Sequence, residues 1–406
     1  MAIAKKATFS FLVLSIILAL SGILTGCASG TPKVVWEKNF KAEGRAFDSG
    51  QQTADGGYIL AGSCRNVADY SGNRIMLLAK TDSSGDLEWE KTYMEADRES
   101  VWEVRQTSDG GYILTGYQSV VSGRIGPFLM RTDTEGNLMW LEGYDIDGKT
   151  SQATAVAETP EGGFIFVGHG AYGPNNEMVA LIAGTDPEGT LLWRKTYGDE
   201  LGSEFNSIER TSDGKYIIAG TKNIGSLENG EFVAWLVKAG GEGDPIWDKS
   251  LYDMVGSRGN YVEQTSDGGY IFAGDFQVER GDNSETDIFI SKFDMAGQHV
   301  WQRTYDWGEK GEIEQPDEIH QINDGGYLLA SHVNISDYRN NSLVVKLDSE
   351  GDILREMLFR STNMIMAQQT SDGNYALAGQ SPEETSEEAV GPIGPTTIWL
   401  AKLNDN

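Results

Sequence analysis

Seven carboxylates recur along the chain at near-constant spacing. Asp55, Asp109, Glu161, Asp213, Asp267, Asp324 and Asp372 stand 48 to 57 residues apart. A ring of such acids suggests cation chemistry. Each is followed by Gly, however, and Asp in a tight turn accepts backbone hydrogen bonds while Gly supplies the left-handed dihedral. The chemistry expected of these seven is therefore structural. Other acidic groups lie between the copies. Residues 306–314, with Glu309 near their centre, and 383–388 are the densest acidic runs, and Asp282, Asn283, Glu285 and Asp287 form a further cluster. Asp145-Ile146-Asp147-Gly148 begins like a calcium loop but lacks the later carboxylates and the closing Glu. Ca²⁺ is the one ion these segments suggest, and no resident cofactor is expected. Tyr70, Tyr172, Trp307 and Tyr338 sit among polar neighbours, where an aromatic ring can stack on a sugar or a peptide side chain, or pack its own loop. His169, His299, His320 and His332 make no His-Glu-x-x-His pattern, and no Gly-x-Ser-x-Gly elbow occurs. The chain is read as lacking a catalytic motif.

The elements that must carry these residues follow from the repeat itself, Thr-Ser-Asp-Gly-Gly-Tyr-Ile-Leu-Ala-Gly in its best copies. A period of roughly 40 to 50 residues with strand-like content marks a propeller or solenoid. In the first copy, residues 46–53, 58–63, 75–81 and 87–93 are four short apolar or alternating runs separated by Asp/Gly turns. Two-residue hairpins are expected at those turns. Four such strands make one antiparallel blade, too small to be stable alone. A second signature, Lys-x-Asp-x-x-Gly-x-x-x-Trp-x-Lys-x-Tyr, occupies Lys80, Asp82, Gly85, Trp89, Lys91 and Tyr93, and it recurs around Trp140, Trp193, Trp247 and Trp301. Blade six has Arg355 in place of the Trp; blade four is read with Ala239 in place of the Asp and one extra residue before Trp247. One Trp per blade at a fixed place reads as packing between blades, with an aromatic ligand platform as the alternative.

The ends complement one another. Residues 398–403 copy a third strand with no fourth after it, and residues 34–40 copy a fourth strand with no blade before it. Pairing them closes a seven-bladed, all-β propeller over 34–406 and removes the open edges that invite aggregation. The turns between strands one and two, and between three and four, are short and alike, and lie on one face. Connections 64–74, 169–178, 221–231, 275–287, 332–341 and 380–397 vary and lie on the other, where function is expected.

Residues 1–26 stand outside the repeat. Lys5 and Lys6 precede an apolar stretch, 9–20, and then Leu24-Thr25-Gly26-Cys27. That pattern resembles the bacterial lipobox, which implies a signal peptide, a lipidated Cys27 and a membrane anchor. Residues 27–33 form the short tether; the six after Cys27 reach roughly 20 Å at most. Ala28 in place of Asp implies the outer membrane in a Gram-negative organism. With Cys27 acylated, Cys64 has no partner for an intramolecular disulfide. The formal charge of −29 becomes −31 once Lys5 and Lys6 are removed. So acidic a chain is a poor ligand for nucleic acid, which binds basic faces. The outer strand of the seventh blade starts on the tight-turn face, so that face is expected to look towards the membrane.

Gln106-Thr107-Ser108-Asp109-Gly110-Gly111-Tyr112 and Gln264-Thr265-Ser266-Asp267-Gly268-Gly269-Tyr270 carry a resemblance to secreted prokaryotic propellers with this repeat. The Asp-x-x-Gly-x-x-x-Trp element is similar to quinoprotein-like (PQQ-like) propeller repeats. That class includes cofactor-dependent dehydrogenases and a lipid-anchored scaffold of outer-membrane barrel assembly. The resemblance transfers little function; the lipobox, the repeat and the variable connections together lead to the expectation of a lipid-anchored, extracytoplasmic propeller serving as a non-catalytic binding or scaffold module, with envelope proteins or glycans as partners. Its alternatives are an envelope assembly scaffold and an enzyme acting on extracellular glycans. A cluster of acidic and aromatic side chains at the mouth of the central channel would favour the enzyme.

Overall fold

The computed structural model describes residues 32–42, 45–65, 74–93, 99–120, 123–171, 178–198, 202–225, 231–280, 283–307, 314–335, 339–359, 362–382 and 396–404. They form seven four-stranded antiparallel sheets arranged as the blades of a propeller, with no helix among them. The blades span 45–93, 99–143, 151–197, 203–250, 257–305, 314–359 and, for the seventh, 363–404 together with Lys33–Ala42. Within each, the strands lie side by side in meander order. Lys33–Ala42 pairs with Thr396–Asn404, with Phe40 opposite Ile398, so the ends close the ring as expected.

Apolar alternation explains why the blades stack. Successive side chains of a strand point to opposite faces. In blade one, Tyr58 and Leu60 pack against Ala376, Ala378 and Leu400 of blade seven, while Ile59 and Ala61 pack against Val104 and Leu114 of blade two. Seven such clusters occur, one at each joint between neighbouring blades. The second and third strands are buried on both faces, which is why they read as apolar runs.

The residues of the two signatures are used at these joints. Trp36, Trp89, Trp140, Trp247 and Trp301 each meet the aromatic ring that opens the second strand of the next blade, with centroids 5.8 to 6.0 Å apart. Each Trp also covers the turn glycine of that blade. A Cβ on Gly136 would lie 2.6 Å from Trp89, and Gly136 has φ +71°. The Tyr four residues after the Trp reaches the same glycine: Tyr93 Oη donates to the Gly136 carbonyl at 2.6 Å, and Tyr305 Oη to that of Gly351 at 2.6 Å. The Trp ring is thus a docking ring. Near the channel, Gln106 accepts the Ala54 N–H at 2.7 Å, and Gln264, Gln321 and Gln369 likewise accept an N–H from the preceding blade's turn at 2.7 Å.

Three local expectations change. The Asp-Gly turns are three-residue loops rather than two-residue hairpins. Thr53 N donates to Gly57 O and Gly56 N to Thr53 O around Ala54-Asp55-Gly56, and Gly56 takes φ +84°. A type I turn followed by a left-handed residue suits a three-residue hairpin, and Gly is the residue that tolerates the last position. In blade four, Gly240 rather than Ala239 stands at the Asp position, since Gly240 N bonds Asp244 O as Asp82 N bonds Asp86 O. Lys238 then faces Trp247 as Lys80 faces Trp89, with no extra residue. Part of the connection expected over 275–287 is a hairpin of Tyr270–Arg280 with Asn283–Phe293, in which Val278 pairs with Glu285.

Candidate functional site

Seven inner strands surround the central channel, each with one edge unpaired: Arg45–Gln52, Glu99–Gln106, Ser151–Glu158, Ser203–Arg210, Ser257–Gln264, Glu314–Gln321 and Asn363–Gln369. Each carries one β-bulge at the same place, at Asp48, Trp102, Thr154, Asn206, Asn260, Asp317 and Ile365. A bulge ends regular pairing and re-aims its side chain. Three bulge residues bind the next blade: Thr154 Oγ1 donates to Phe205 O at 2.8 Å, Asn206 Nδ2 to Gly259 O at 2.9 Å and Asn260 Nδ2 to Pro316 O at 3.4 Å.

Below the bulges, towards the tight turns, the channel holds Glu103, Arg105, Glu209, Tyr261, Glu263, Glu318 and His320. Most of these carboxylates have structural work. Inner strands have N–H groups without a ladder partner, and buried N–H groups need an acceptor. Glu103 accepts from Val156 N at 2.7 Å, Glu209 from Gln264 N at 2.6 Å, Glu263 from Gln321 N at 2.9 Å, and Glu318 from Ala367 N. His320 bridges two of them, with Nδ1 2.5 Å from Glu263 and Nε2 3.1 Å from Glu318. Burial would lower the His320 pKa, but these two carboxylates outweigh it and push it up to about 10. Burial, followed by the neighbouring Glu263, pushes the Glu209 carboxyl up to about 7.

At and above the bulges, on the face of the variable connections, the residues differ from blade to blade. In blade two, Trp102 is half-exposed and meets Tyr117 edge-on, with centroids 5.9 Å apart. His169 of blade three is buried beside Gln152, with Nδ1 3.9 Å from Glu204 of blade four. Burial lowers its pKa against the pull of Glu204. In blade five, Arg258 pairs across the ladder with Asp275, which is 3% exposed. Burial raises the Asp275 carboxyl to about 6, although Arg258 opposes it. Asp317 and His332 of blade six are in contact at 2.6 Å. Asp48, an exposed residue hemmed in by the surrounding blades, has its carboxyl raised to about 6 by partial loss of solvent, offset in part by Arg74. His169 Nδ1, Thr221 Oγ1, Asn260 Oδ1 and Asp275 Oδ1 are buried and have no hydrogen-bond partner among the described residues. Titratable groups with shifted pKa values, unused hydrogen-bonding atoms and an open aromatic pair together make the channel mouth the candidate binding site. Sequence reasoning did not assemble it, because its members come from six blades and only the closed ring brings them to one mouth.

Of the lipidation and binding-face residues singled out from sequence, two are described. Trp307 stacks on Tyr305, with centroids 5.0 Å apart and planes 2° from parallel, and its Nε1 donates to Glu356 at 2.5 Å, so it packs its own segment. Asp287 is 6% exposed and lies within the long hairpin of blade five, opposite Phe276. Cys27, Tyr70, Tyr172, Asp282, Glu309 and Tyr338 lie outside the described residues. Among the turn carboxylates, Asp55 accepts from Gly57 N at 2.9 Å and pairs with the buried Lys80 at 2.8 Å. Matching Lys or Arg pairs occur at Asp109, Asp213, Asp267, Asp324 and Asp372. Asp147 pairs with Arg194 at the edge of an outer cleft of about 630 Å³, away from the channel. No group of three or more His, Cys, Asp or Glu with metal-ligand geometry occurs among the described residues. Cys64 is buried, which raises its thiol to about 11, well away from a reactive thiolate.

No family model matches the chain, and no curated protein does. Among solved structures it is similar to a protein of unknown function from Dyadobacter fermentans, at 10% identity over 92% of this chain and 99% of that one, with a TM-score of 0.48. It is also similar to Sqt1 from Chaetomium thermophilum, at 10% identity over 86% of this chain and 97% of that one, with a TM-score of 0.46.

Proposed function

We propose that the chain is a lipid-anchored, extracytoplasmic propeller that acts as a non-catalytic binding or scaffold module through the face bearing the channel mouth and the variable connections. One observation carries this reading: the recurrent residues of the two signatures are consumed in bonds within and between blades, while the residues that differ between blades gather at that mouth. A constant frame presenting variable groups on one face is the arrangement of a recognition surface. Glu263 and Glu318 have both oxygens engaged by a backbone N–H and by His320, so these two carboxylates serve the frame. The acidic and aromatic side chains at the mouth, Asp48, Asp275 and the Trp102–Tyr117 pair, are the observation that favours the second reading, an enzyme acting on extracellular glycans. An envelope protein or a glycan is the proposed partner, and the Leu24–Cys27 motif is the proposed anchor.

The test is a pull-down of the native lipoprotein from detergent-solubilised membranes, with mass spectrometry of what accompanies it. A partner lost on replacing residues 383–395, or in a Trp102→Ala, Asp275→Asn double variant, supports the reading. A partner retained by those variants and lost on substitution at the tight turns would overturn it.

A further inference from the structure

The outer strands carry a second set of bulges. In all seven, the residue that precedes the Trp position is the one left out of the ladder: Val35, Glu88, Met139, Leu192, Ile246, Val300 and Leu354. Six are large and apolar, and all six stand in water: Val35 is 52% exposed, Met139 58%, Leu192 63%, Ile246 48%, Val300 57% and Leu354 44%. The seventh, Glu88, pairs with Lys80 at 3.1 Å. A bulge on an edge strand blunts edge-to-edge pairing whatever side chain it carries, and charged residues do it best. Edge protection explains the bulge and leaves its apolar content unexplained. Scattered apolar side chains are ordinary on a surface, but these recur at one register in six blades out of seven. They form a crown near the tight-turn end of the outer strands.

We infer that this crown is a membrane-contact surface, seated on the lipid layer that holds the acylated Cys27. The inference rests on the lipid-anchored reading above. Two observations select a lipid surface as the occupant. First, Lys33, opposite Asn404, begins its strand at the same tight-turn end, next to Val34 and Val35. The six residues that follow Cys27 reach roughly 20 Å at most, so an acylated Cys27 keeps this end of the propeller near the lipid. Second, the crown follows the ring and touches nearly every blade. A partner protein docks on one sector, whereas a flat layer meets all of them at once. The side chains are single points of insertion, adding shallow apolar contact to the acyl anchor. The turn carboxylates Asp82, Asp133, Asp186, Asp294 and Asp348 stand at the same end and repel an anionic surface. The fitting lipid surface is therefore zwitterionic.

The experiment uses the full lipoprotein reconstituted into phosphatidylcholine–phosphatidylethanolamine vesicles. Single variants Met139→Cys, Leu192→Cys and Val300→Cys carry an environment-sensitive fluorophore, with Trp102→Cys on the opposite face as reference. Cys64 is buried with its thiol raised to about 11, so labelling goes to the introduced residue. The three crown labels should shift to the blue on reconstitution and be quenched by lipids brominated near the headgroup, while the label at 102 stays in water. Co-sedimentation with vesicles reports the anchor separately. A protein that co-sediments while its crown labels remain aqueous would overturn the inference and leave the anchor standing. A protein that does not co-sediment would overturn both. Burial that increases when phosphatidylglycerol is added would contradict the zwitterionic assignment.

Discussion

Gln52 and Ser371 are 319 residues apart in sequence and are joined directly, the Gln52 Oε1 accepting the Ser371 backbone N–H at 3.0 Å. This bond fastens blade one to blade seven beside the channel, while the outer strand Lys33–Ala42 closes the same joint from the rim. The same bond recurs at five other joints: Gln106 with Ala54, Glu158 with Ser108, Gln264 with Ser212, Gln321 with Ser266 and Gln369 with Asn323. The remaining joint, between blades three and four, has Pro160 where the donor should be and Arg210 where the acceptor should be. Pro has no N–H, so loss of the donor and loss of the acceptor occur together.

Restoring that seventh bond should stabilise the protein. Pro160→Ser with Arg210→Gln supplies both partners and is expected to gain about 1 kcal/mol, whereas either change alone gains little. A double-mutant cycle measured by denaturant unfolding gives the coupling directly; additive single effects would show that the bond does not form.

The Trp ring should be costly to break. Trp89→Ala empties the space over Gly136 and beside Tyr112, and the expected loss is about 2–4 kcal/mol, reduced from a full core deletion because the ring is only half-buried. Gly136→Ala should destabilise through the opposite fault, since its Cβ meets Trp89 at 2.6 Å and its φ is +71°. Thermal unfolding of the two variants checks both, and a wild-type melting temperature in either would contradict the docking role.

Acid should weaken the frame through the turn carboxylates. Burial would raise the Asp55, Asp213 and Asp267 carboxyls, but hydrogen bonds from Lys and Thr side chains and a backbone N–H outweigh it and hold them at about 2. Carboxyls with a depressed folded-state pKa stabilise above their unfolded value and lose that contribution as pH falls through the folded one. Stability should therefore drop between about pH 4 and 2. Lys292→Met, which removes the buried cation bonded to Asp267 at 2.9 Å, should cost about 1–3 kcal/mol at neutral pH and make the acid loss shallower.

The channel should respond at the other end of the scale. His320, raised to about 10, stabilises fully below the unfolded value near 6.5 and loses this as pH rises through about 10. Glu209, raised to about 7, penalises the fold increasingly as pH climbs from its unfolded value near 4.5 through 7. Glu209→Gln keeps an acceptor for Gln264 N and should be more stable than wild type at pH 8. His320→Gln should flatten the loss above pH 7. Urea unfolding of the two variants at pH 6, 8 and 10 decides this, and parallel pH curves for all three proteins would refute it.

The frame was legible in the sequence because its determinants are local and repeated. Asp55-Gly56-Gly57, Trp89 and the complementary ends each announce one turn, one contact or one closure, and each recurs. The site was illegible because it is built by the ring. Trp102, His169, Glu204 and Asp275 belong to four blades, and nothing in their neighbouring residues marks them. Trp102 itself sits on a bulge, and a bulge has no single residue signature. For Trp307 the sequence leaves ligand stacking and loop packing open, because it does not reveal the stacking on Tyr305. The partner of Lys80 was also missed: the Lys of one signature and the Asp of the other meet only when the second and third strands pair.

The most direct test of a constant frame with one recognition face is in-cell photo-crosslinking from two positions. A photoreactive amino acid replaces Trp102 at the channel mouth in one strain and Ser84, an exposed residue of a tight turn, in another. The account predicts a discrete, reproducible adduct from position 102 and none from position 84. A discrete protein adduct from position 84 with none from 102 would contradict it.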